Sequence, residues 1–129
     1  MVLIGVADEG NGWIASQWRL TYPASWSQIL KAAHAMLPYL ERLQVLADDA
    51  LVPVADPRAI SAMPEAGKLT VRGGAAIVGV PVSVTFYNQL QNVEVLAPRD
   101  TPGLEGCDYR GCCMALCQYM DSVEIAMHA

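Results

Sequence analysis

The chain has 129 residues, 53% hydrophobic and only 16% charged, and its 13 acidic and eight basic side chains give a formal charge of −5. This length fits one domain, residues 1–129, with a core of its own. The acidic balance argues against nucleic acid as a partner, because phosphates require a basic face. Typical domains carry about 25% charged residues, so the shortfall leaves apolar surface that single copies rarely expose. A homo-oligomer or a protein partner is the expectation.

The first residues, MVLIGVADEG, lack a basic region. No run of about 18 apolar residues occurs, so neither a signal peptide nor a membrane span is expected. The four cysteines are then expected to be reduced, in a cytoplasmic protein without membrane contact.

Val2–Ala7 reads as a short buried strand, followed by a turn at Asp8-Glu9-Gly10-Asn11-Gly12. Trp13–Tyr22 alternates, with Ile14, Ser16, Trp18, Leu20 and Tyr22 on one face and Ala15, Gln17, Arg19 and Thr21 on the other. The two strands form a hairpin. Pro23 ends it, and Ser25-Trp26-Ser27-Gln28 has the form of a capping box. The predicted helix runs to about Asp49, with a kink or two abutting helices at Pro38 and the stripe Ile29, Ala33, Met36, Leu40, Leu43 and Ala47. Leu51–Gly67 is mostly connection, except that Asp56-Pro57 starts one or two helical turns over Arg58–Met63.

Ala75–Tyr87 reads as one long strand whose even positions, Ala76, Val78, Val80, Val82, Val84 and Phe86, are all apolar. A tight turn at Gly73-Gly74 pairs Val71 with Ala76 and Leu69 with Val78. A second, at Asn88-Gln89, pairs Val84 with Val93 and Val82 with Val95. Both turns bury the same face. Gly79 and Pro81 interrupt the long strand and predict a bend there. The opposite face collects Thr70, Arg72, Ser83, Thr85, Tyr87, Asn92 and Glu94.

After a loop at Ala97–Gly106, Asp108 caps a last helix with the stripe Tyr109, Cys112, Cys113, Leu116, Met120, Val123 and Met127. The fold class is α+β: a curved antiparallel sheet of about five strands, in the order ββ-α-βββ-α, with two helices on its apolar face. This order resembles the layout of small profilin-like or longin-like interaction domains, a likeness that by itself assigns no function.

Four places invite a chemical reading. Cys107, Cys112, Cys113 and Cys117 are the candidates for a metal site, but they form no C-x-x-C pair and have no histidine close in sequence. Small core residues are the better reading. Gly10-Asn11-Gly12-Trp13-Ile14-Ala15 matches a dinucleotide fingerprint literally, yet the residues after it alternate like a strand and leave no room for the required helix. His34 has Glu41 two turns on, as a base oriented by a carboxylate would, but no nucleophile is tied to it. The polar sheet face is the fourth. Arg72, Thr85, Tyr87, Asn92 and Glu94 make a candidate binding surface anchored by residue types that dominate interface energies. Trp13, at the edge of the first hairpin's tip, is a candidate addition to a ligand surface.

No phosphate loop, H-E-x-x-H or G-x-S-x-G motif specifies an enzyme, and no cofactor is expected. The expected function is a small acidic protein-binding module of the inhibitor, immunity, chaperone or adaptor type. The acidic quarter from Asp100 onward, with Glu105, Asp108, Asp121 and Glu124 against Arg110 alone, suits a basic partner. The alternative is a small-molecule binder or small enzyme. It would hold a small apolar ligand in a pocket between sheet and helices, lined by Met36, Met63, Met114 and Met120.

Overall fold

The computed structural model describes residues 1–10, 12–36, 40–52, 57–75, 81–98 and 114–129. In chain order these form β1 (Val2–Asp8), β2 (Trp13–Arg19), α1 (Trp26–Met36), β3 (Leu40–Ala47), β4 (Ala50–Val52), α2 (Pro57–Ser61), β5 (Lys68–Ala75), β6 (Pro81–Tyr87), β7 (Asn92–Pro98) and α3 (Met114–Met127). The strands make one seven-stranded sheet in the order β1-β2-β7-β6-β5-β3-β4. Every neighbouring pair is antiparallel. The class is α+β as expected, but with seven strands and three helices among the described residues instead of about five and two.

The first hairpin closes through Gly10 and Gly12, at φ 77 and 85, backbone angles that glycine adopts without strain. Because Trp13–Arg19 is a strand, the literal dinucleotide fingerprint is a hairpin turn and opens no helix. The capping box forms reciprocally: the Gln28 N–H donates to Ser25 Oγ (3.2 Å), and the Ser25 N–H donates to Gln28 Oε1 (2.8 Å).

The expected helix to Asp49 is corrected: α1 stops at Met36 and Leu40–Ala47 is strand β3. Pro38 lacks the N–H that a continuing helix needs, and its ring disfavours helical backbone at the residue before it. Beyond it the sequence also alternates, and Val45 pairs with Val71 in the core. Asp48 and Asp49, at φ 48 and 70, turn β3 into β4. The Asp48 carboxylate accepts the N–H groups of Gly67 (3.2 Å) and Lys68 (3.0 Å), fastening this turn to the start of β5.

The strands after Lys68 depart from expectation in register but not in face. Gly73 and Gly74 lie inside β5, opposite Val82 and Pro81, and do not form a turn. Of the expected strand Ala75–Tyr87, Pro81–Tyr87 is β6 and Ala75 is the last residue of its antiparallel partner β5; the expected bend at Gly79 lies outside the described residues. Val71 faces Val84 and Leu69 faces Phe86, larger apolar pairs than the expected ones with Ala76 and Val78. The last turn spans Asn88–Gln91 instead of closing at Asn88-Gln89, so Val84 faces Val95 and Phe86 faces Val93. Gln91 explains the longer turn. Its backbone sits at φ 56, and its side-chain amide accepts the Ala24 N–H (2.7 Å) while donating to the Ala24 carbonyl (3.1 Å).

One face of the sheet contributes Trp18, Val45, Leu69, Val71, Val84, Phe86, Val93 and Val95 to a single core cluster. Helices α1 and α3 complete it with Ile29, Leu30, Ala33, Met36, Met120, Val123 and Met127. Both therefore pack on the apolar face, as the stripes predict. Helix α2 begins at Pro57 as expected and contributes Ile60. Met36, Met63 and Met120 belong to this core; the Met114 side chain lies outside the described set. No described helix is long and apolar enough to cross a membrane.

A partly buried ion pair ties the first residue to α3. The Met1 amino group donates to Glu124 Oε1 and to Asp121 Oδ1 (3.1 Å), and the Thr21 N–H donates to Glu124 Oε2 (2.7 Å). Burial favours an uncharged Glu124, but hydrogen bonds from the Met1 ammonium and Thr21 outweigh it and hold the carboxyl below its ordinary 4.5. Burial likewise opposes the ammonium, and Glu124 and Asp121 outweigh it, raising the amine above 8.0.

The pair's stabilisation is therefore complete between pH 4.5 and 8.0, the two ordinary values. It is lost as pH falls through the depressed carboxyl value and as pH rises through the elevated amine value. Glu124→Gln should cost about 1–2 kcal/mol within that window and progressively less outside it, measured by urea unfolding across pH. A cost independent of pH would contradict the pairing.

Candidate binding surface

The face turned away from the helices is built by pairing alone, since antiparallel partners present side chains on the same side. Three ranks cross it. One reads Ala15, Leu96, Ser83, Arg72 and Gln44 from β2 to β3. The next reads Gln17, Glu94, Thr85, Thr70 and Leu46, and the third Arg19, Asn92, Tyr87 and Lys68. The five candidates Arg72, Thr85, Tyr87, Asn92 and Glu94 thus share one face.

Side-chain hydrogen bonds run along the ranks. Gln17 Nε2 donates to Glu94 Oε2, and Thr70 and Thr85 share a hydrogen bond of 3.1 Å between their hydroxyls. Arg72 Nε donates to Gln44 Oε1 (2.8 Å), which orients an exposed guanidinium. Thr85 and Ala15 are buried, at 8% and 3% exposure, whereas Tyr87, Asn92 and Glu94 are half-buried. Asn92 Oδ1 is buried without a hydrogen-bond partner among the described residues. Lys68 Nζ lies 3.1 Å from the Asp49 carboxylate, whose hydrogen bond and charge raise the lysine's pKa.

Electrostatically, this face differs from the chain as a whole. Arg19, Lys68 and Arg72 stand against Glu94 in the three ranks, on a chain of net charge −5. The chain's acidity is not gathered here. Gln17 and Gln44 complete the face but escape a reading of the sequence. Gln17 could not be added without knowing that β2 pairs with β7, and Gln44 lies in the stretch that reads as helix.

The other candidates fall elsewhere. His34 is exposed on α1, and Glu41 lies on β3, so the pair does not share one helix as expected. Trp13 is half-buried at the start of β2. Trp18 is a core residue whose Nε1 donates to Ser16 Oγ (2.9 Å), and Trp26 Nε1 donates to the Met63 carbonyl (3.0 Å). Cys107, Cys112 and Cys113 lie outside the described residues; Cys117 is on α3, with its side chain outside them. Among the described residues no three His, Cys, Asp or Glu side chains gather as a metal would require.

Compared with protein-family models, curated proteins and solved structures, the chain matches none.

The contact between Gln17 and Glu94 joins strands far apart in sequence and tests how the surface is assembled. A double-mutant cycle of Gln17→Ala and Glu94→Ala should give a coupling of about 0.5–1.5 kcal/mol in urea unfolding. A coupling near zero would separate the two strands.

Proposed function

We propose that the protein is a non-catalytic protein-binding module that docks a partner on the outer face of its sheet. The observation that carries this reading is the face itself: Arg72, Thr85, Tyr87, Asn92 and Glu94 share one surface while the opposite face lies in the core. A sheet packed on one side is rigid, so its outward side chains lose little freedom on binding. Tyrosine and arginine are the residue types that most often anchor interfaces, and here Arg72 is held by Gln44 of the neighbouring strand. Inhibition, immunity and chaperoning are all tasks that such a surface can perform by occupying a partner stoichiometrically.

Affinity capture from the native cell tests it, with the full chain as bait. The variant Arg72→Ala/Tyr87→Ala should lose the captured partner by roughly 30-fold in affinity or more. Gln118→Ala, exposed on α3, should retain it. Equal retention by the double variant, or no stoichiometric partner at all, contradicts the proposal.

A further inference from the structure

Three cations stand in the ranks of the outer face, and the chain treats each differently. Lys68 is paired with Asp49 at 3.1 Å. Arg19 is exposed and has no hydrogen bond or ion pair from its side chain among the described residues. Arg72 is positioned but not neutralised. Its Nε donates to Gln44 Oε1 at 2.8 Å, and no carboxylate pairs with it among the described residues. The register fixes this contact. Val45 faces Val71 and both are fully buried, so Gln44 and Arg72 beside them are cross-strand partners on the outward face. Both are exposed. Glu94, the acid of the neighbouring rank, is two strands away on β7 and is engaged by Gln17.

A guanidinium offers its N–H donors as a rigid planar fork. With Nε committed to Gln44, the edge that includes Nε is closed to a two-point contact, and the edge formed by Nη1 and Nη2 is left. Two parallel donors match the two oxygens of a carboxylate, and a charge-assisted bond of this kind is roughly twice as strong as a neutral one. On an open surface such a pair contributes little, but a docked partner shields it from water and salt. A basic side chain brought to the same place would instead set two cations against each other under the interface. We propose that the partner on the outer face delivers an aspartate or glutamate side chain to Nη1 and Nη2 of Arg72, and that Gln44 is the positioning residue that leaves this edge open. The contact presupposes the docking proposed above and supplies its chemistry. It also reverses the sign suggested by the chain's net charge of −5, because the group that receives the partner is a cation.

Nitrogen-15 spectra of the arginine side chains in the full chain test the site directly, with hexaglutamate blocked at both ends as the probe. In the free protein the Arg72 Nε–H should exchange with solvent more slowly than that of Arg19, and Gln44→Ala should remove the difference. Hexaglutamate should shift the Arg72 Nη signals at concentrations about tenfold lower than it shifts those of Arg19. With the captured partner, Arg72→Lys keeps the charge but lacks the fork, and should weaken binding about tenfold. Gln44→Ala should weaken it about threefold, while both variants unfold in urea as the wild type does. Equal shifts at Arg72 and Arg19, or full retention of the partner by Arg72→Lys, would overturn the carboxylate contact alone, since Arg72→Ala/Tyr87→Ala can still release the partner. Absence of a stoichiometric partner would overturn the docking and the contact together.

Discussion

The pairing of β2 with β7 joins the two ends of the chain, and the sheet depends on it. It places Gln17 beside Glu94, residues 77 apart in sequence, and Trp18 beside Val93. Closing a loop of that length costs about 4 kcal/mol of chain entropy. Removing a packed tryptophan typically costs about 3–5 kcal/mol, so the burial of Trp18 alone is comparable to the closure cost. Val93, Val95 and Ala97, all buried on the same strand, tip the balance. Without this pairing the N-terminal hairpin would be a free two-stranded ribbon, which is marginal in water. The Gln91 clasp on Ala24 and the Glu124 bonds to Met1 and Thr21 reinforce the same junction from the turn and from α3.

Parity explains why the buried face is legible in the sequence although neither tight turn sits where glycine and asparagine suggest. The expected and the observed registers each pair odd-numbered residues of β5 with even-numbered residues of β6, and these with odd-numbered residues of β7. Errors by an even step leave every side chain on its own face. Gly73-Gly74 misleads because glycines suit a tight turn, but the energy lies in pairing Leu69 with Phe86 and Val71 with Val84. The stretch after Pro38 is ambiguous for another reason. Leu40, Leu43 and Ala47 fit a helical stripe, while Leu43, Val45 and Ala47 fit an alternating strand, and only the tertiary partner Val71 decides. β4, with three residues, is too short to announce itself, and its turn uses two aspartates where glycine or asparagine is the usual signal.

The same parity gathers the candidate surface. Arg72, Thr85, Tyr87, Asn92 and Glu94 lie together because each is on the face opposite a buried valine, leucine or phenylalanine. What the sequence alone withholds is the surface's extent and charge. Gln17 and Arg19 join from β2 and Gln44 from β3, and with them the face of an acidic chain acquires three cations against Glu94. A partner for this face is chosen by mixed polarity and shape more than by net charge.

The most direct measurement is a set of cross-strand nuclear Overhauser contacts in the labelled protein. Backbone contacts are expected between Gln17 and Glu94 and between Trp18 and Val93, with none between β1 and β7. Contacts that place Val2–Asp8 beside Asn92–Pro98 would exchange the strands of the first hairpin and contradict it.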